Sequence, residues 1–93
     1  MRAIEWTSQF KRDYKRENKG QYRATLDVDL FPVAEALATD QTLEARYRDH
    51  ALNGEWKDHR DCHIKPDLVL IYRKQDDDTL RLVRLGSHSE LGL

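Results

Sequence analysis

Apolar and polar positions alternate near both ends of the chain and recur at helical spacing between them. Ile4 and Trp6 flank Glu5, which predicts a short strand over Ala3–Thr7. Thr7 and Ser8 are suited to cap a helix running from Gln9 to about Asn18. Phe10 and Tyr14 share one face of that helix, Lys and Arg cover most of the rest, and Asn18-Lys19-Gly20 is a natural stop. Tyr22, Leu26, Leu30, Val33 and Leu37 then recur at intervals of four and three, which is one face of a second helix ending near Thr39-Asp40. Pro32 interrupts the pattern: either the helix kinks there, or it begins afresh with Asp29 near its cap and Pro32 in the first turn. Leu43 to Gly54 reads as a loop pinned to the core by Leu43, Tyr47 and Leu52. Three strands follow, Glu55–Ile64, Leu68–Lys74 and Thr79–Ser87, joined by a Lys65-Pro66-Asp67 turn and a polar Gln75–Asp78 hairpin loop. Leu68–Tyr72 is apolar on both faces and is expected at the centre of the sheet. The predicted class is α+β: an N-terminal strand, two helices, then a three-strand antiparallel meander completing one small sheet.

Size and composition narrow the possibilities without naming a function. Ninety-three residues suit a single domain over 1–93 with one modest core. Hydrophobic content of 39% against 35% charged residues fits a globular chain with a heavily charged surface and argues against disorder. No apolar run approaches the ~20 residues that span a bilayer. The start, Met1-Arg2-Ala3-Ile4-Glu5-Trp6, lacks the apolar stretch of a secretory signal. Cys62 is the only cysteine, so no internal disulfide can form, and the simple expectation is a reducing cytoplasm. Net charge is −1 but unevenly spread. Residues 1–24 hold seven basic and three acidic side chains, net +4; residues 25–45 hold five acidic and no basic ones, net −5; the remainder balances. A basic front end permits contact with phosphate-rich partners, although on charge alone a solvated helix face is the favoured reading.

The back half carries the candidate chemistry: His50, His59, Asp61, His63, Asp67 and His88. Imidazole can both take and give a proton near neutral pH. On a strand, positions two apart share a face, so His59, Asp61 and His63 are expected to point one way with Lys57 and Lys65 in line. Trp56, Cys62 and Ile64 then point to the core. Cleaving RNA without a metal needs a base for the ribose 2′-hydroxyl, an acid for the departing 5′-oxygen, and positive charge beside the phosphate. His, Asp and Arg or Lys supply all three. Each residue also has a plainer reading: His59 as an exposed strand residue, Asp61 as an ion-pair partner of Arg60 or Lys57, Asp67 as a turn residue after Pro66, His50 as a loop residue bonded to backbone. A zinc site at His59-x-Asp61-x-His63 matches no standard spacing, so no metal and no cofactor is expected.

Three runs of residues are familiar together. Tyr47-Arg48-Asp49-His50-Ala51-Leu52-Asn53-Gly54 with Trp56-Lys57, then Arg60 to Tyr72, then Arg84-Leu85-Gly86-Ser87-His88-Ser89-Glu90-Leu91, resemble the YafQ branch of the RelE-like toxins of bacterial type II toxin–antitoxin systems. The match covers about half the chain at fixed spacing; the front half agrees only in its order of elements. The resemblance implies a ribosome-dependent mRNA endonuclease that cuts the A-site codon without metal, restrained in a hetero-oligomer by an antitoxin. By matched position it implies a catalytic set of His50, His63, Asp67 and His88 with Asp61 accessory, and leaves His59 out. It also implies a phosphate contact for Arg84, and ribosomal RNA against Lys11, Arg12, Lys15, Arg16 and Lys19. Where the family usually has an aromatic residue after the Leu matching Leu91, this chain has Gly92 and Leu93. Two rivals are a ParE-like toxin that binds gyrase, which has no need of the His and Asp set, and a toxin remnant that only binds antitoxin.

Overall fold

Thr7 shows how the first elements join. A computed structural model describes residues 1–93; in it β1 spans Ala3–Trp6 and α1 spans Ser8–Glu17. The extended Thr7 lies between them, and its hydroxyl accepts from the Phe10 N–H at 3.0 Å while donating to the Val83 carbonyl at 2.9 Å. One side chain therefore caps α1 and ties it to the sheet. The second helix, α2, spans Leu26–Ala38, after a turn in which the N–H groups of Thr25 and Leu26 donate to the Tyr22 carbonyl. Pro32 sits inside this helix. The fresh start near Asp29 does not form, because the interruption is cheap here: Pro32 is exposed, and the carbonyl it leaves unbonded belongs to Val28, whose side chain is itself exposed. Asp27 and Asp29 fill the first turn, where the helix dipole favours acidic side chains.

The sheet has five strands in the order β1-β5-β4-β3-β2. They are β2 (His50–Ala51), β3 (Arg60–Lys65), β4 (Leu68–Lys74) and β5 (Thr79–Gly86), all antiparallel to their neighbours, with β1 parallel to β5 at the edge. The α+β class, the two helices and the antiparallel meander are as the pattern predicts, and β4 is central. Helices α1 and α2 cover one face. Phe10, Leu26, Leu30 and Leu37 pack there against Cys62, Leu70, Tyr72, Leu80, Leu82 and Leu85. Leu82 and Leu85 are an odd number apart yet share this layer because the β4–β5 register shifts beside Ile71/Tyr72. Val83 is thereby turned to the other face, where it joins a smaller cluster of Val69, Ile71 and Leu91 with Leu52 and Trp56.

Three expectations change. The strand predicted from Glu55 begins only at Arg60. Gly54–Trp56 is a 3-10 turn, and Asp58 takes a left-handed φ of 70°, so Lys57 and His59 lie before the strand. Trp56 packs on the far face, opposite Cys62 and Ile64. The loop over 43–54 contains a 3-10 turn, Ala45–Tyr47, and the short edge strand β2. The tail forms a one-turn helix, α3, His88–Leu91.

Candidate active site

Alternation along β3 sends Cys62 and Ile64 into the helix-covered core and Asp61 and His63 to the opposite face. Asp61 is directly across from His50 on β2 and Ile71 on β4; His63 is across from Val69. The irregularity after His63 takes Lys65 off this line. Its ammonium pairs with Asp29 of α2 and lies 5.4 Å from the Tyr22 ring. The predicted Lys-His-Asp-His-Lys face therefore reduces to Asp61 and His63, and His50 joins from the neighbouring strand.

His50 Nδ1 lies 2.8 Å from the Arg48 carbonyl oxygen and 3.0 Å from Asp61 Oδ1. A carbonyl can only accept, so Nδ1 carries the proton and Nε2 is free. The angle favours the carbonyl, which leaves Asp61 Oδ1 in charge contact with the ring but without a hydrogen bond. Asp61 is only 2% exposed. Burial pushes its carboxyl up, against the opposing pull of His50, His63 and His88. The loop that carries His50 is fixed through its neighbour: Asp49 accepts from the Tyr72 hydroxyl at 2.5 Å and from Arg60 Nε at 3.3 Å.

Two elements distant in sequence meet at the other end of the row. A capping box, Ser87 with Glu90, starts α3 and sets His88 as its first residue. Asp67 Oδ1, in the turn between β3 and β4, accepts from the His88 backbone N–H at 3.0 Å and lies 2.6 Å from His88 Nδ1. These two bonds, the backbone one foremost, hold the Asp67 carboxyl below its ordinary range. The carboxylate fixes the proton on Nδ1 and leaves His88 Nε2 free. The His63 and His88 rings meet edge to face with centroids 4.9 Å apart. Burial lowers the proton affinity of His63 first; the charges of His88, Arg48 and His50 lower it further, and Asp61 opposes them. His63 is thus biased to the neutral form beside a histidine whose charged form has a carboxylate partner. Both rings open into a cleft of about 830 Å³, which is also lined by Arg46, Tyr47, Arg48 and Lys65.

Of the sequence-derived residues, His50, Asp61, His63, Asp67 and His88 fall in one row along this face. His59 lies apart, with Nδ1 3.1 Å from the Lys57 carbonyl oxygen and its ring edge-on to Trp56. Arg84 is also apart. Its Nε donates at 2.7 Å to Asp13, a carboxylate fully buried beneath α1 that also accepts from the Leu85 N–H at 3.0 Å and from Arg16 at 3.1 Å. Burial raises the Asp13 carboxyl, but these partners outweigh it and the net shift is downward. Arg16 reaches on to Glu90 of α3, at 3.2 Å, and so braces the His88 helix. Lys11, Arg12 and Lys15 are exposed on α1, and Lys19 is exposed in the turn that follows it. Arg46, Tyr47 and Arg48 were absent from the sequence-derived set; their signal was two arginines flanking a tyrosine just before His50.

A small α+β frame with two histidines, each beside a carboxylate, on an open sheet face has the groups that acid–base chemistry requires. The family described as "Bacterial toxin of type II toxin-antitoxin system, YafQ" matches residues 2–92, and the chain belongs to it. A curated relative, the mRNA interferase toxin YafQ of Escherichia coli K12, is 38% identical over 97% of this chain and 95% of its own. Among solved structures, a copper-bound mutant toxin from Helicobacter pylori superposes with a TM-score of 0.85 at 40% identity, covering 98% of this chain and 99% of that one. The toxin in the E. coli DinJ-YafQ complex superposes with a TM-score of 0.77 at 34% identity, covering 98% of each chain. In this chain no three His, Cys, Asp or Glu side chains converge closely enough to hold a metal ion.

Proposed function

We propose that this toxin is an endoribonuclease that cuts mRNA in the ribosomal A site by acid–base chemistry of its own side chains, and that an antitoxin restrains it. The observation that carries the reading is the pairing of His63 with His88: two rings 4.9 Å apart, one biased to the neutral form, the other bonded to Asp67. Neutral His63 accepts the proton of a ribose 2′-hydroxyl. The 2′-oxygen then bonds to phosphorus while the bond from phosphorus to the 5′-oxygen breaks. Protonated His88, its charge supported by Asp67, gives its proton to that departing oxygen. The products are a 2′,3′-cyclic phosphate and a 5′-hydroxyl, and a proton exchange with water resets the pair. His50, held by the Arg48 carbonyl and faced by buried Asp61, is the third imidazole of the row. Both rivals explain this arrangement less well, because neither a gyrase-binding toxin nor an antitoxin-binding remnant needs carboxylates aimed at imidazoles.

The test is a cell-free translation reaction. Added protein should arrest synthesis and leave mRNA ends, mapped by primer extension, inside A-site codons. Replacing His88 by Ala should lower the cleavage rate roughly 10²-fold or more, since one positioned acid or base contributes about 10²–10⁴. A DinJ-like antitoxin should restore translation and still bind the His88→Ala protein. Arrest with intact mRNA, or blocked supercoiling by gyrase, would sink the proposal.

A further inference from the structure

Phosphodiester cleavage places extra negative charge on the non-bridging oxygens, so the site needs a cation free to meet it. Resemblance nominates Arg84, but that guanidinium is spent on buried Asp13, at 2.7 Å, and lies outside the cleft that holds His63 and His88. Three cations do line the cleft: Arg46, Arg48 and Lys65. Lys65 is paired with Asp29. Arg46 is 3.7 Å from Glu44 and lies over the Tyr47 ring. Arg48 alone has no carboxylate within ion-pair reach, and it is exposed.

We infer that Arg48, not Arg84, supplies the cation that grips the scissile phosphate. The backbone supports this assignment. Residue 48 holds a left-handed φ of 49°, a conformation that an arginine rarely adopts. Its carbonyl receives the His50 Nδ1–H, so one strained residue both orients an imidazole and presents a free guanidinium beside it. Asp49, held by Tyr72 and Arg60, locks that conformation. The Arg48 charge also reaches His63, where it favours the neutral ring. Phosphate and base are thereby served by the same cation. The assignment rests on the endoribonuclease reading.

The experiment is single-turnover cleavage on programmed ribosomes by the parent, Arg48→Asn and Arg48→Lys. Asn tolerates the left-handed backbone, so its variant loses the cation and keeps the turn; Arg48→Gly serves if the Asn protein does not fold. The expected result is a loss of about 10²-fold in the cleavage step for Arg48→Asn, the scale of losing one transition-state donor, and substantial rescue by Arg48→Lys. Substrate concentration for half-saturation should move far less than the rate. An NMR titration of His63 gives a readout independent of cleavage: its midpoint should rise when the Arg48 charge is removed. Arg84→Gln should instead lower the melting temperature, because it takes the Arg84 guanidinium from buried Asp13 and leaves that carboxylate only Arg16 and the Leu85 N–H. Parental cleavage rates in Arg48→Asn, or a loss that Arg48→Lys shares in full, would overturn the assignment while leaving the enzyme reading intact. A parent that cuts nothing on ribosomes would remove both.

Discussion

His63 shows most directly how surroundings set chemistry. An isolated imidazole titrates near 6.5. Here burial first, then the positive charge of its neighbours, makes protonation harder. A general base works only when unprotonated, so the acidic limb of the pH–rate profile of cleavage should fall below the ordinary histidine value. Measuring the cleavage step between pH 4.5 and 8 on pre-formed toxin–ribosome complexes checks this; a limb at or above 6.5 contradicts it. Asp67 does not interfere in that window. Its lowered carboxyl stays charged until the pH falls well below the acidic limb. The same residue scale explains Asp61. A carboxylate 2% exposed with one oxygen lacking a hydrogen bond is costly, and it is tolerable because imidazoles surround it.

At the scale of elements, α3 decides where His88 points. The helix is a single turn and cannot hold itself. Ser87 and Glu90 cap its start, Leu91 anchors it beside Val69 and Ile71, and Gly92 closes it in a left-handed conformation with φ 72°. The family's usual aromatic falls at this position, and in this chain the closing turn takes it. A Cβ at Gly92 would meet nothing within 4 Å, so only the backbone opposes a side chain there. Gly92→Ala should therefore destabilise the protein by about 1 kcal/mol, the cost of forcing an L-residue into that region, as read by urea denaturation. A much larger loss would mean that packing also matters. The element scale also accounts for β3. Six residues of strand are fixed by pairing with β4 and β2, whereas the N–H groups of Trp56 and Lys57 turn back to the carbonyls of Asn53 and Gly54, so Glu55–Asp58 joins no strand.

At the scale of the molecule, charge is segregated. Lys11 and Lys15 on α1, and Lys19 in the turn just after it, stand exposed with no carboxylate in ion-pair range, whereas Arg16 is used internally by Asp13, Glu17 and Glu90. If α1 lies against ribosomal RNA, the affinity for ribosomes should fall with salt. Changing Lys11, Lys15 and Lys19 together to Gln should flatten the slope of log affinity against log salt by roughly 2 to 3, since each phosphate contact contributes about 0.7–0.9. Sedimentation of labelled toxin with ribosomes at graded potassium measures this. An unchanged slope would show that α1 faces elsewhere. No helix is long and apolar enough to cross a membrane.

The sequence by itself determined much of this. Helical spacing from Phe10 to Leu37 located both helices, two-sided apolarity placed Leu68–Tyr72 at the centre of the sheet, and three fixed-spacing runs carried the family. These are local properties, written in periods of 3.6 and 2 residues. What depends on partners distant along the chain was decided only by the tertiary structure. A register shift in β5 put Leu82 and Leu85 in one layer, and another after His63 sent Lys65 to Asp29. A buried carboxylate 71 residues away in sequence claimed Arg84. A left-handed turn put Arg48 at the mouth of the site. Ion-pair choice follows from proximity, and proximity between distant residues is created by the fold.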